Sequence, residues 1–168
     1  MMRSGNIINH RVLVNDIEVD DVINIQLPNI EQQTVEMNGA GIMGTIAMPT
    51  TGQFGSLELS ISYKSVSRSV LRLQKPGNQN IEIRFVKDYM DSNGQMLPQG
   101  SKVFATGVMK SSEGGTIENN GSIEGSVTYE IWRYRVVVDG VEILLIDKLA
   151  NIFRVDGVDY MRRVNAAL

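Results

Sequence analysis

The sequence predicts a mainly β chain, an antiparallel β-sandwich or barrel-like domain with one short helix, and three observations predict it. Apolar residues recur at every second position in several runs, turn-forming residues separate those runs, and a helical spacing of apolar residues occurs once. In LELSISY at 57–63, Leu57, Leu59, Ile61 and Tyr63 take one face, while Glu58, Ser60 and Ser62, continued by Lys64, take the other. The same alternation sets Ile81, Ile83 and Phe85 against Glu82 and Arg84, and Val127, Tyr129 and Ile131 against Thr128 and Glu130. One face buried and one wet is the habit of antiparallel sheets.

Turn residues fall between the runs. Asn15-Asp16 separates VLV from IEV, Ser92-Asn93-Gly94 and Asn119-Asn120-Gly121 mark two further turns, and Asp139-Gly140 is the strongest hairpin signal. The last joins VTYEIWRYRVVV at 127–138 to VEILLI at 141–146, two β-rich runs placed to pair across a two-residue loop. Only SVSRSVLRLQ at 65–74 has helical spacing, with Val66, Val70 and Leu73 on one side and a stop at Lys75, Pro76 and Gly77. A chain of 168 residues is long enough to bury a core unaided and reads as one domain over 1–168.

Composition excludes several kinds of chemistry. With no cysteine, thiol catalysis, disulfides and thiolate metal sites are all ruled out. The one histidine, His10, has no second ligand nearby and reads as a solvated side chain. The carboxylates occur as neighbours, Asp20 with Asp21, or as loop residues, Asp88 and Asp91; none forms a recognisable acid-base pair, and no G-x-S-x-G elbow is present. DYMDSNG at 88–94 lacks the ligand spacing of a calcium loop and reads as a hairpin turn. No catalytic residue, cofactor or metal is therefore expected. A net charge of −3 argues against nonspecific grip on nucleic acid. Residues 1–10 hold one arginine and no apolar stretch of the kind a secretory leader carries, and no run is long enough to span a bilayer as a helix. Trp132 and Tyr134, two apart, read as sheet interior, and the basic residues Arg154, Arg162 and Arg163 as a solvated end.

MNGAGIMGTI at 37–46 places Gly39, Gly41 and Gly44 at the G-x-G-x-x-G spacing of dinucleotide-binding folds. The context is wrong for that role. A helix must follow the glycines, and Pro49, Gly52 and Gly55 stand in its way. Glu58 lies at the distance expected of a ribose-binding acid but belongs to an alternating strand. A small-residue loop after the half-exposed strand QQTVEM at 32–37 is the simpler reading, with glycines suited to close approach of another backbone.

Taken in order, the motifs resemble the major tail tube protein of contractile-tailed phages, the family that also supplies the inner tube of R-type bacteriocins (tailocins). They run VINIQLP at 22–28, TVEMNGAGIMG at 34–44, the amphipathic strand at 57–63 with its short helix, VDGVE at 138–142, Ile146-Asp147, VDGVD at 155–159 and Arg162-Arg163. The resemblance implies a subunit of six-membered rings stacked into a tube, each chain lending four strands to one continuous barrel around the lumen. It implies that the segment 37–55 is a loop reaching toward a neighbouring ring, with Gly39, Ala40, Gly41, Gly44 and Pro49 as inter-ring residues. It implies partners as well: the tail sheath protein, baseplate and tail-terminator proteins, a tape-measure protein inside the lumen, and DNA or ions passing without specific binding. The implied place is a virion or bacteriocin particle, reached from the host cytoplasm.

The implied geometry is physically consistent. Twenty-four strands spaced about 4.8 Å apart give a backbone radius near 18 Å, wide enough for duplex DNA of about 10 Å radius after side chains are allowed for. Inward residues of such a wall must stay wet without holding phosphates, which suits the face Glu58, Ser60, Ser62, Lys64 as the lumen side. Two other classes fit a β-rich acidic chain: a monomeric β-sandwich binding module, for example for carbohydrate through Trp132, and a carboxylate hydrolase.

Overall fold

A computed structural model describes residues 3–168; Met1 and Met2, the start of the segment read for a leader, lie outside the described residues. The elements are β1 (Arg3–Val14), β2 (Ile17–Val19), β3 (Val22–Gln26), β4 (Gln32–Met37), β5 (Ile46–Phe54), β6 (Leu57–Tyr63), α1 (Arg68–Leu71) running into a 3-10 turn (Arg72–Gln74), β7 (Asn78–Met90), β8 (Met96–Glu113), β9 (Gly125–Val138), β10 (Val141–Asp147), β11 (Ile152–Val155), β12 (Val158–Asp159) and α2 (Arg162–Ala166). The fold is mainly β and antiparallel, as the alternation predicts, and the sheet does not close into a barrel within the chain.

Ten strands form one sheet, in the order β12-β11-β10-β9-β8-β7-β1-β2, with β6 paired to β9 and β3 paired to β6. The two longest strands, β8 and β9, fold this sheet over on itself. Their halves 101–106 and 133–138 run with β7, β1 and β10, while the halves 107–113 and 126–131 run with β6 and β3. The change of direction coincides with a bulge at Trp132, where Thr106 faces Arg133 but Gly107 faces Ile131. Glycine is required at that point: a Cβ on residue 107 would lie 2.1 Å from the Glu130 carbonyl oxygen.

Between the two layers lies the core predicted from the alternation. Leu57, Leu59, Ile61 and Tyr63 of β6 meet Val12, Ile81, Ile83 and Val103 of the opposite layer, with Val127, Tyr129 and Ile131 from β9. The expectation for the aromatic pair holds for Tyr134, which joins the core, and not for Trp132, which the bulge leaves half-buried. The helix closes one end. Ser67 caps it by accepting from the Val70 N–H at 3.3 Å, and Val70 and Leu73 are fully buried. Tyr129 then donates its hydroxyl to the Leu73 carbonyl, tying β9 to the helical turn.

Hairpins follow the turn chemistry. Asn15-Asp16, Asp139-Gly140 and Asp156-Gly157 all take positive φ at both positions, the geometry a two-residue hairpin demands. The segment read against a calcium loop is the β7–β8 hairpin, where the Asp91 carboxylate accepts from the N–H groups of Asn93 and Gln95 at 2.8 and 2.9 Å. A second short helix, α2, lies at the C-terminal end, beyond the one expected at 65–74.

Burial pushes the Tyr129 phenol's ionisation well up, and that of Tyr134 upward as well. The unfolded chain sheds these protons near pH 10, the folded chain later, so their contribution is complete below that pH and is lost as pH rises. Tyr129→Phe is expected to cost about 1 kcal/mol in neutral urea denaturation and to flatten the alkaline decline. A decline as steep as that of the native chain would remove Tyr129 as its source.

Candidate assembly surfaces

Three surfaces emerge once the strands are in register. The first is the outer face of the four-stranded layer β3-β6-β9-β8. Its rows are polar across all four strands: Gln26, Ser60, Thr128 and Ser111 in one, Asn24, Ser62, Ser126 and Glu113 in the next. Ser60 and Thr128 share a hydrogen bond at 3.1 Å. Glu58 stands directly opposite Glu130, a destabilising juxtaposition that local chemistry relieves. A second bulge, between Met109 and Ser111, gives Lys110 to this spot, 2.5 Å from Glu58 and 3.7 Å from Glu130, and Ser56 donates to Glu130. The bond to Glu58, and then its charge, raises the Lys110 ammonium's affinity for its proton. Thus the structure brings Glu58, Ser60 and Ser62 together on one wet face. Lys64 falls one residue past β6, in a bend where its N–H donates to the Asp21 carbonyl.

The second surface is a pair of open edges. β3 pairs only with β6, leaving its far side free. On the other flank, β7 pairs with β8 no further than Val108, so residues 109–113 of β8 have no strand beside them there. The open stretches match in length, since β3 has 5 residues. Because each neighbouring pair in β3-β6-β9-β8 is antiparallel, β3 and β8 run in opposite directions.

The third is a projecting hairpin. β4 and β5 form a two-stranded sheet of their own, connected by the loop 38–45. The resemblance implies a loop over 37–55; instead residues 46–54 return as a strand. Pro49 is tolerated because β5 has a partner on one side only, and Gly52, at φ +73°, lies in the irregular stretch where the register shifts between the Gln32 and Thr34 pairings. Gly39, Gly41 and Gly44 all have positive φ, and Ala40 lies between the first two in the exposed loop. Cross-strand pairing puts Val35 beside Met48 and Met37 beside Ile46, so one face of the hairpin is apolar and its four side chains are 45–61% exposed. An isolated hairpin is marginal in water, and nothing in the described chain covers this one. Its base is anchored: Phe54 packs edge-on to Phe153 at 4.9 Å, and Lys148 donates to the Gly55 carbonyl at 2.8 Å. Sequence reasoning found the strand 32–37 and the glycines but missed the apolar face, whose signal was the alternation of Ile46 and Met48 just before Pro49.

No described cluster of acidic residues and histidine could hold a metal ion. His10 is half-buried on β1 opposite Phe85. Arg154 bonds Glu142 at 3.2 Å, whereas Arg162 and Arg163 lie exposed on α2, so the three do not form one patch. Asp21 accepts from Ser65 beside the helix, a structural role. No described helix is long and apolar enough to cross a membrane.

An open sheet with a wet face, two unpaired edges and an uncovered arm is the construction of a structural assembly subunit. A family model described as phage tail tube protein FII matches residues 5–168, and the chain belongs to that family. Its role is that of an inner tail tube protein. Two solved structures of extracellular contractile injection systems have similar folds. A chain of the PVC sheath-tube complex in its extended state is 14% identical, with a TM-score of 0.52 over 77% of this chain and 86% of that one. A chain of the PVC sheath/tube terminator, also in the extended state, is 15% identical, with a TM-score of 0.50 over 78% and 93%. At these identities the likeness is one of fold. No curated protein sequence matches the chain.

Lys110→Ala is expected to lower the melting temperature at low salt by leaving Glu58 opposite Glu130, the difference closing at about 1 M salt as the two charges are screened. A difference that survives high salt would assign the effect to packing instead.

Proposed function

We propose that the chain acts as one domain over 1–168 and forms hexameric rings whose β3-β6-β9-β8 layers join edge to edge into a continuous barrel, the rings stacking into a tube. The observation that carries this is the pair of matched open edges. β3 of one subunit and residues 109–113 of β8 of the next run in opposite directions, so their joint is antiparallel like every other in the layer, and ring closure removes both edges.

In this arrangement the wet face lines the lumen. Glu58, Ser60 and Ser62, with Lys64 at the margin, present hydroxyls and a carboxylate pair partly offset by Lys110, and no arginine, a lining over which DNA or ions pass without being held. The tape-measure protein would occupy the same lumen during assembly. The β4–β5 arm reaches the neighbouring ring, where Val35, Met37, Ile46 and Met48 find cover and Gly39, Ala40, Gly41, Gly44 and Pro49 form the contact. Stacking is head-to-tail and does not close on itself, so terminator and baseplate proteins would set the ends and the sheath would surround the tube. That the similar folds come from a sheath-tube complex and a sheath/tube terminator supports these partners. The proposed location is the particle's tail.

The edge joint is tested by proline. Neighbouring residues on a strand point their N–H groups to opposite sides, so of Ser112→Pro and Glu113→Pro one removes an outward N–H and leaves the fold intact. That variant is expected to melt like the native chain and to sediment as a monomer at concentrations where the native chain assembles. Assembly by both variants would exclude β8 from the joint.

The arm is tested at Gly41. Its φ of +87° strains any other residue by about 1–2 kcal/mol, and a Cβ there meets nothing within the subunit. Gly41→Val is therefore expected to leave a folded subunit that fails to stack. Normal tubes from this variant would take the loop out of the inter-ring contact.

A further inference from the structure

The layer that holds β1, β7 and residues 101–106 of β8 carries a charged cleft that the tube reading does not use. Register places Arg11 of β1 directly across from Arg84 of β7, and Arg84 directly across from Lys102 of β8. Three cations thus stand side by side on three adjacent strands, over about 10 Å, an arrangement that opposes folding in the absence of anions. Arg11 reaches Glu18 only at 3.8 Å, and Arg84 bonds Glu82 on its own strand at 2.8 Å, while Lys102 has no ion-pair partner among the described residues.

This row lines a cleft of about 660 Å³. Arg135 stands over the Phe104 ring at 5.5 Å to one side, and Val137, only 9% exposed, contributes apolar floor. No carboxylate lines the cleft. In a chain with a net charge of −3, an unneutralised cation thus stands in a concavity that no carboxylate lines.

We propose that this cleft is a docking site for an acidic segment of another protein, whose carboxylates lie along Arg11, Arg84 and Lys102 and whose apolar side chains rest on Phe104 and Val137. A carboxylate accepts from guanidinium and ammonium groups alike, and so answers the cations at the cleft. The row ends after about three charges, too short to track a nucleic-acid backbone, which favours a short acidic peptide. The cations belong to the layer on the far side of the core from the Glu58 face. That the site opens on the outside of a tube rests on the proposed function; the binding itself does not.

The test is fluorescence anisotropy at low salt with fluorescein-labelled hexaglutamate, and in parallel with a fluorescein-labelled thymidine hexanucleotide. The expected result is saturable peptide binding that weakens by about tenfold or more in Lys102→Glu and changes by less than about twofold in Arg162→Glu, an exposed charge on α2. Lys102 is exposed, so the variant is expected to fold, which its melting curve checks. No saturable peptide binding, equal binding by Lys102→Glu, or tighter binding of the oligonucleotide would overturn the proposal. Binding is read on subunits whether or not they assemble, so failure here leaves the ring proposal standing, and failure of ring formation leaves this one standing.

Discussion

A strand at the end of a sheet carries a row of backbone donors and acceptors that only another strand, or water, can satisfy. Much of this molecule follows from where that constraint is met and where it is left open. β8 and β9 are long enough to serve two layers. Their bulges at Trp132 and Lys110 let them leave one layer and enter the other without abandoning their mutual pairing. The consequence is that β7 cannot follow β8 past Val108, and one flank of the four-stranded layer stays open. Had β7 continued, the layer would end in a covered strand and offer β3 nothing of matching length to meet.

The same bulge that frees the edge also shapes the wet face. Lys110, the extra residue, is delivered to the point where two glutamates confront one another, so a geometric irregularity serves as charge compensation. Away from that point the face consists of serine, threonine, asparagine and glutamine, with Glu113 at the β8 edge, side chains that bind water well and phosphate weakly. The opposite layer lines up Arg11, Arg84 and Lys102. The net value of −3 conceals this row of like charges.

What could be read from the sequence was whatever local chemistry determines. The alternation at 57–63, 81–85 and 127–131 identified the core, because a half-buried strand has no other way to distribute its side chains. Asp139-Gly140 identified a hairpin because few residue pairs accept positive φ twice. The order of motifs was enough to recognise the family, and Pro49 and Gly52 were enough to exclude a helix after Gly44, where β5 stands. What escaped was whatever depends on register between distant segments. β5 was hidden by Pro49 and Gly52, which are compatible with a strand only when one side is unpaired. Trp132 was misplaced because a bulge is invisible to a count of two. The cation row joins residues from β1, β7 and β8, far apart along the chain, and nothing short of the pairing brings them into line.

The central claim is that copies of this chain join through their open edges and enclose the polar face. Electron microscopy of the purified protein over a concentration series, with end-on views averaged, tests it most directly. The account predicts six-fold rings and tubes with a stain-filled bore whose backbone radius is near 18 Å. Solid filaments, or particles that remain single subunits even when seeded with preformed tube ends, would contradict it.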